Sequence, residues 1–286
     1  MMEIFKEFNL LEYNSYKLDA RCARAFFPES EDDFRKIYND LASKPPHVIG
    51  NGNNIIFSKT YYDEDFLILN GNFNKIVFNG SIVTAEAGAT LKKLSEIALE
   101  KSLSGLEIFC DIPSSVGGAI VMNAGTKEGE IKDILLNVRY LDLVDMKVKE
   151  VYKEDMEFEY RNSFFQRNTD KIVLQASFQL NSGDTTEIRR NMLKSIEMRW
   201  AKQPRELPNC GSVFKRPPGR FVGPMLDELG LKGYSIGGAK ISEKHSGFIV
   251  NTGNATGEDI IRVIKHTKEL VLNRFSVNLE IEQRII

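Results

Sequence analysis

The chain of 286 residues has few cysteines and no excess of charge of either sign. Cys22, Cys110 and Cys210 are odd in number, lie far apart and form no C-x-x-C pair, so neither a disulfide framework nor a zinc site is indicated, and we expect no metal. Lysine and arginine number 38 against 40 acidic residues, a net charge of −2. Because no global basic field is present, a nucleic-acid partner is not expected.

Long apolar runs are also missing. None approaches the roughly 18 residues that a membrane helix needs. The N-terminal stretch MMEIFKEFNLLEYNSYK mixes acidic and basic residues and lacks the apolar core of a signal peptide. We therefore expect a reduced, cytoplasmic protein without membrane insertion. Apolar residues make up 42% and charged residues 27%, which is ordinary globular usage, and the length suits about two domains.

Apolar residues at helical spacing behind a capping residue predict several helices. Three begin near Ser30, Thr90 and Thr256, and their apolar positions are Phe34, Ile37, Tyr38 and Leu41; Leu91, Leu94, Ile97 and Ala98; and Ile260, Ile264 and Val271. A longer helix from about Thr185 carries a stripe that we assign to the core, Ile188, Met192, Ile196 and Trp200. The change of pattern there marks the best domain boundary.

Strand patterns fill much of the first two thirds of the chain. Asn79-Gly80 between two β-rich runs predicts a two-residue hairpin. The run KIVLQASFQL predicts a strand whose apolar residues share a face or line a buried strand, Ile172, Leu174, Ala176, Phe178 and Leu180.

Many glycines lie beside Asn or Ser in two clusters. GNGNN at 50–54 lacks the spacing of a dinucleotide fold or a P-loop, so it is either a turn whose backbone N–H groups cradle a pyrophosphate or an ordinary turn between strands. IPSSVGGAIVMNAG at 112–125 is too rich in glycine and small residues for a plain helix or strand. Together they predict contacts to a large anion with a flat ring from Gly50, Asn51, Gly52, Asn53, Asn54, Ile112, Pro113, Ser114, Ser115, Gly117, Gly118, Asn123 and Gly125.

A series of motifs in sequence order resembles the UDP-N-acetylenolpyruvoylglucosamine reductase family, which are flavoenzymes of peptidoglycan synthesis. The motifs span nearly the whole chain and are GNGNNIIFS, SGLE, IPSSVGGAIVMNAG, YRNSFF, KQP, NCGSVFKRPPG, GLKGYSIGGAKISEKHSGFIVN and EQRII. The short connection after YRNSFF is similar to the family's shorter form, which lacks a tyrosine-bearing substrate loop.

The resemblance implies an α+β chain with a two-subdomain FAD-binding fold (PCMH-type) and a C-terminal α+β substrate-binding domain. The expected divisions are 1–65 and 66–184 for the two FAD subdomains and 185–286 for the substrate domain, whose final strand packs back toward the active site. FAD is the implied cofactor, NADPH the reducing co-substrate and a monomer the expected state.

The implied reaction reduces an enolpyruvyl ether through hydride addition to its β-carbon. Negative charge then develops on the α-carbon and its carboxylate, so the protein must stabilise charge and deliver one proton. By resemblance Ser212 donates the proton, while Arg161 and Glu282 position the carboxylate and stabilise the enolate. Glu282 would have to hold or share a proton to do this. Weaker candidates for pyrophosphate or carboxylate contacts are Lys215, Arg216 and His245.

Each assignment has a structural alternative. Arg161 could bridge loops, Ser212 could cap a turn, and Glu282 could be a solvated strand residue. Asp111 and Ser114 also stand where the family usually has glycine, and a carboxylate near a phosphate would repel it. Two other functions therefore stay open: another flavin oxidoreductase of the same FAD fold, and a non-catalytic nucleotide-binding descendant.

Overall fold

The computed structural model describes residues 2–40 and 44–286, so the predicted core position Leu41 lies outside the described residues. The helices are Glu31–Asp40 (α1), Leu91–Glu100 (α2), Val116–Met122 (α3), Phe164–Arg167 (α4), Thr185–Lys202 (α5), Val222–Glu228 (α6) and Gly257–Phe275 (α7). The strands are Glu3–Asn9 (β1), Arg21–Phe27 (β2), His47–Ile49 (β3), Ile55–Ile56 (β4), Tyr61–Ile68 (β5), Ile76–Asn79 (β6), Ile82–Glu86 (β7), Leu103–Ser104 (β8), Gly125–Thr126 (β9), Gly129–Glu130 (β10), Leu135–Asp142 (β11), Lys147–Tyr152 (β12), Lys171–Gln179 (β13), Asn181–Ser182 (β14), Ser235–Ile236 (β15), Ala239–Ile241 (β16), Ile249–Asn251 (β17) and Arg284–Ile285 (β18).

The chain divides into two compact units. Unit 1 contains Met1–Phe5, Arg24–Asn51 and Glu64–Met198, and unit 2 contains Lys6–Ala23, Gly52–Asp63 and Arg199–Ile286. This division by contacts groups two N-terminal segments with the C-terminal third, and it falls inside α5. The boundaries expected at 65 and 184 stay a prediction about FAD and substrate subdomains.

Unit 1 is built on a five-stranded antiparallel sheet in the order β12-β11-β13-β7-β6. The apolar residues predicted for its central strand β13 are all buried, whereas Gln175 and Ser177 between them are half-buried and Gln179 is exposed; the buried residues, at most 7% exposed, are Ile172, Leu174, Ala176, Phe178 and Leu180. Helix α3 packs against β13. This unit also contains the two-stranded pairs β9–β10 and β8–β14. A further sheet runs in the order β1-β2-β5-β3, with β3 parallel to β5.

Unit 2 contains a three-stranded antiparallel sheet, β15-β16-β17, against which α7 packs. Helix α7 begins with the predicted capping box: Thr256 Oγ1 accepts a hydrogen bond from Asp259 N at 3.1 Å, and Thr256 N donates to Asp259 Oδ2 at 3.0 Å. Strand β18 pairs in parallel with β4, so the last residues of the chain lie beside residues 55–56. Helices and mostly antiparallel sheets in both units confirm the α+β class.

Three expectations about local structure are wrong in detail. Residues 116–122 form a helix, although their glycine content argued against one. The hairpin between β6 and β7 pairs Asn79 with Ile82, so its two loop residues are Gly80 and Ser81 rather than Asn79 and Gly80. Trp200 is 56% exposed, so the apolar stripe of α5 reaches the core at Ile188 and Met192 but not at its C-terminal end.

Helix α3 forms because its ends and its apolar face offset the cost of two glycines. Ser115 caps it, its Oγ accepting from Gly118 N at 3.2 Å. Gly117 N donates to Ala87 O at 2.9 Å, and a Cβ on Gly117 would lie 3.0 Å from Ala87 Cβ. Glycine therefore allows the helix to approach the 87–89 segment closely while the apolar side chains of the helix are buried, Val116, Ala119 and Ile120.

Candidate active site

Two glycines of the loop 50–54 pack closely against other residues, Gly50 within unit 1 and Gly52 within unit 2. In unit 1, a Cβ on Gly50 would overlap Ser115 Oγ, so this glycine meets the cap of α3. In unit 2, Gly52 has φ +67°, and a Cβ there would overlap the carbonyl of Tyr13. Both positions thus require glycine, Gly50 for the close approach and Gly52 also for its positive φ.

Two asparagine side chains of the same loop hold unsatisfied oxygens. Asn51 Oδ1 and Asn53 Oδ1 are buried and have no hydrogen-bond partner within the described residues. A buried amide oxygen without a partner is costly, and such atoms are commonly satisfied by a ligand or an ordered water. The Asn53 amide nitrogen is engaged with Ser15 Oγ. The two buried acceptor oxygens therefore fit a bound polar cofactor that carries N–H or O–H donors, such as FAD.

The adjoining segment 112–115 is held mostly by its own backbone. Ser114 N donates to Ile112 O at 2.8 Å and Ser114 Oγ to Ser115 O at 2.9 Å, so the Ser114 hydroxyl faces its own loop. Ile112 packs on the unit 1 core, whereas Pro113 is exposed. Their contacts to FAD stay a prediction.

Asn123 ends α3 in the left-handed conformation and is completely buried. Its amide nitrogen donates to Glu130 Oε2 and to Glu159 O, both at 3.0 Å, and its Oδ1 accepts from Lys132 N at 3.4 Å. Because its side chain is committed within unit 1, a contact from Asn123 to a cofactor would come from its backbone.

Arg161 joins two loops of unit 1. Its Nη1 donates to Asn123 O at 3.2 Å and its Nη2 to Gly125 O at 2.8 Å, and its guanidinium lies 5.0 Å from the Tyr160 ring centroid. The residue adopts φ +54°, a strained value for a side chain of this size, and the side chain is 17% exposed. Arg161 therefore does bridge two loops, as the structural alternative proposed. The same two hydrogen bonds fix the plane of its guanidinium beside the 112–125 segment.

Ser212 lies on a turn of unit 2 that is tied directly to Glu282. Val213 O accepts from Glu282 N at 2.8 Å, and Asn54 Nδ2 donates to Glu282 O at 3.1 Å. Ser212 is exposed, and its hydroxyl makes no hydrogen bond within the part of the chain that the structure describes. The hydroxyl is therefore open to a ligand.

The predicted substrate contacts have different surroundings in unit 2. Lys215 Nζ is paired with Glu280 Oε1, and the Arg216 guanidinium stacks 4.0 Å from the centroid of the exposed Phe221 ring. His245 is half-buried, its Nδ1 accepts from Gly247 N at 3.1 Å, and burial lowers its pKa. Arg216 is thus the most accessible cation of the three.

Sequence reasoning missed Gln283, which is 4% exposed. The final segment alternates apolar Val277, Leu279 and Ile281 with polar residues, so Gln283 continues the apolar series. A polar residue in a buried series is the signal that could have identified it, since burial of an amide requires partners.

Within the described residues, no helix is both long and apolar enough to cross a membrane. The same residues hold no cluster of three or more His, Cys, Asp or Glu arranged to hold a metal ion.

Comparison with known proteins agrees with this geometry. A family model described as an FAD binding domain matches residues 22–151, and one described as the C-terminal domain of UDP-N-acetylenolpyruvoylglucosamine reductase matches 203–286. Proteins of that name from Pediococcus pentosaceus and Petrotoga mobilis are 39% and 40% identical, covering 100% and 96% of this chain and 95% and 91% of their own. The crystal structure of UDP-N-acetylenolpyruvylglucosamine reductase from Thermus caldophilus superposes with a TM-score of 0.84 at 29% identity, covering 100% of this chain and 98% of its own.

An FAD-binding module followed by a reductase C-terminal module on one α+β chain defines an FAD-dependent oxidoreductase. More particularly, the chain belongs to the UDP-N-acetylenolpyruvoylglucosamine reductase family. The resemblance seen in the sequence motifs is thereby confirmed, as are the fold class and the enzyme class.

Proposed function

We propose that this protein catalyses the NADPH-dependent, FAD-mediated reduction of UDP-N-acetylglucosamine enolpyruvate to UDP-N-acetylmuramate in peptidoglycan biosynthesis. The observation that carries the proposal is the Ser212 turn, where an exposed hydroxyl that bonds none of the described residues lies one residue from the backbone contact to Glu282. The backbone contact between Val213 and Glu282 keeps the Ser212 turn next to Glu282. A hydroxyl and a carboxyl group placed in this way suit a reaction that needs one proton donor and one acid to stabilise negative charge.

FAD, when bound, supplies the relay that carries hydride from NADPH to the substrate. We assign its binding to the loop 50–54 and to the segment 112–125. Asn51 Oδ1 and Asn53 Oδ1 offer buried acceptors, and Gly50, Gly52 and Gly117 let these segments pack closely on their neighbours. Ser115 is buried as the cap of α3, so we expect it to shape this segment rather than to act in the chemistry.

The reduction adds a hydride to the β-carbon of the enolpyruvyl ether and a proton to its α-carbon, and converts NADPH to NADP⁺. We assign the proton to the Ser212 hydroxyl, which solvent can reprotonate because the residue is exposed. Arg161 matches the substrate carboxylate with a planar guanidinium already oriented by two carbonyls. Glu282, with a proton held or shared, would stabilise the enolate.

On the substrate side we assign contacts with the diphosphate or the carboxylate to Lys215, Arg216 and His245. Arg216 is the strongest of these because it is exposed and its guanidinium is oriented by Phe221. Lys215 is partly neutralised by Glu280, so its contribution should be smaller. We further propose that the enzyme acts as a monomer in the cytoplasm.

The test is consumption of NADPH by the purified, FAD-loaded protein with UDP-N-acetylglucosamine enolpyruvate. UDP-N-acetylglucosamine, which lacks the enolpyruvyl group, is the matched control. We expect a yellow protein whose NADPH oxidation depends on the enolpyruvyl substrate and whose product has gained H₂ by mass spectrometry. A yellow protein with no dependence on this substrate would favour another flavin oxidoreductase, and a colourless one that binds no FAD would favour a non-catalytic descendant.

A further inference from the structure

Gln283 connects the turn that carries Ser212 with the buried core of unit 2. Its Nε2 donates to three consecutive carbonyls, Cys210 O at 3.1 Å, Gly211 O at 3.3 Å and Ser212 O at 3.4 Å. An amide nitrogen carries only two hydrogens. One hydrogen makes the shortest bond, to Cys210 O, and the Gly211 and Ser212 carbonyls share the other. The amide thus fixes the backbone on both sides of Gly211.

The orientation of this amide follows from its partners. Its Oε1 accepts from the Tyr16 hydroxyl at 2.9 Å. A flipped amide would place its oxygen against three carbonyl oxygens, which offer no hydrogen, so one orientation alone satisfies the network. The Tyr16 hydroxyl can also act as a donor only while it is protonated, and burial raises the pKa of Tyr16.

Tyr16 is itself held rigidly. It is completely buried, and its carbonyl accepts from Asn251 Nδ2 at 2.8 Å. Asn14 closes the surrounding turn, its side chain bonding Leu10 O at 3.0 Å and Leu18 N at 2.8 Å. The Tyr16 hydroxyl that orients Gln283 is therefore held in one position in the core.

The turn is held after Ser212 by backbone bonds, since Val213 N donates to Gly247 O at 3.0 Å and Val213 O accepts from Glu282 N at 2.8 Å, but Gly211 before it is less restrained. Gly211 adopts φ +78°, and a Cβ there would meet no atom of the described residues within 4 Å, so side-chain packing does not restrain it. Its amide donates to Asn209 Oδ1 at 3.1 Å. Because glycine has the widest conformational freedom, the hydrogen bonds from Gln283 to the carbonyls restrain the backbone that leads into Ser212.

We propose that Gln283, oriented by Tyr16, is a positioning residue that fixes the Ser212 hydroxyl relative to Glu282 for proton donation. Gln283 follows Glu282 directly, so one peptide unit connects the residue that aims the donor with the proposed acid. The proposal rests on the proposed function, because it takes Ser212 as the proton donor. A displacement of reacting atoms by about 1 Å can cost about 100-fold in rate, so loss of the amide should slow proton delivery without removing the donor.

The test separates the two half-reactions under anaerobic conditions in holoenzyme variants. Stopped-flow absorbance gives the rate of flavin reduction by NADPH and the rate of reoxidation by the enolpyruvyl substrate, and calorimetry gives the Kd of the substrate. The variants are Gln283→Leu and Tyr16→Phe. Tyr62→Phe is the matched control, since it removes a buried hydroxyl that donates to Ile286 O at 2.7 Å in the same unit but does not touch the 210–212 carbonyls.

We expect Gln283→Leu to slow reoxidation by about 10- to 100-fold and Tyr16→Phe by about 3- to 10-fold, with flavin reduction within about 2-fold of wild type. The substrate Kd should change by less than about 3-fold, since binding contacts are kept. Tyr62→Phe should lower the urea midpoint and leave both rates within about 2-fold.

Reoxidation at the wild-type rate in either variant that folds would overturn the proposal, as would equal slowing of both half-reactions. If Gln283→Leu does not fold, Tyr16→Phe alone decides between these results. Failure of the proposed function looks different, because the wild-type reduced enzyme would then not be reoxidised by the substrate at all.

Discussion

Gly257 offers a test of the packing that holds the C-terminal strand. It is the first residue of α7, and a Cβ there would overlap Phe57 O and lie 2.8 Å from Phe57 C and 3.0 Å from Ser58 Cα. All three atoms belong to the backbone, so the overlap cannot be relieved by rotation of a side chain. The neighbouring Ser58 N and Oγ donate to Ile286 O at 3.0 and 2.6 Å, so a displaced 57–58 segment would also disturb β18.

Two effects of opposite sign decide the outcome of Gly257→Ala. Alanine in a helix is favoured over glycine by at most about 1 kcal/mol. Overpacking a buried site costs about 1–3 kcal/mol, and contact with backbone belongs at the upper end. We therefore expect a net loss of about 1–2 kcal/mol in the free energy of unfolding.

Gly223→Ala is the matched control, since Gly223 lies in α6 and a Cβ there would lie 3.7 Å from Ser246 Oγ. That is ordinary contact, so this variant should be unchanged or stabilised by up to about 1 kcal/mol. Urea unfolding followed by far-UV circular dichroism and by the fluorescence of the single tryptophan measures both. If Gly257→Ala were as stable as Gly223→Ala, the close approach of α7 to the 57–58 backbone would be refuted.

Three further predictions concern stability and reactivity. Burial raises the pKa of the Cys210 thiol to about 12, so Ellman's reagent should not titrate it in the folded protein at pH 8 but should in guanidinium; fast labelling of the native thiol would contradict this. The ammonium groups of Lys149 and Lys171, 2.7 and 2.8 Å from Asp142, hold the pKa of that carboxyl well below its usual value, so the contacts stabilise the fold above about pH 4 and are lost as the pH falls. Asp142→Asn should therefore lower the urea midpoint at pH 7 by more than at pH 3, and an equal loss at both would count against it. Thr256→Ala should cost about 0.5–2 kcal/mol in chemical unfolding while Thr256→Ser stays near wild type, and equal losses would show that the cap is not what matters.

Local signals in the sequence were sufficient where local chemistry forms the structure. The capping boxes at Ser30 and Thr256 gave the starts of α1 and α7, because each box is completed within four residues. The apolar run of β13 gave the burial of its alternating apolar residues. Family motifs then gave the fold class, the FAD module and the reductase family.

Contacts between distant segments were less predictable. Helix α3 forms because Gly117 lies on Ala87, and no property of residues 112–125 alone shows what they pack against. The pairing of Arg284 with Ile55 joins segments far apart in the sequence, so alternation alone did not reveal that Gln283 faces the Ser212 turn. The two carbonyl partners of Arg161 likewise come from a loop that precedes it by more than thirty residues.

The central claim is that this chain reduces an enolpyruvyl ether with Ser212 as the proton donor. The most direct measurement compares wild type with Ser212→Ala in anaerobic single turnovers that follow flavin reduction by NADPH and reoxidation by UDP-N-acetylglucosamine enolpyruvate separately. We predict that reduction by NADPH stays within about 2-fold, whereas reoxidation slows by about 100-fold or more, the usual contribution of a general acid. Reoxidation of Ser212→Ala at the wild-type rate, or equal slowing of both steps, would contradict the account.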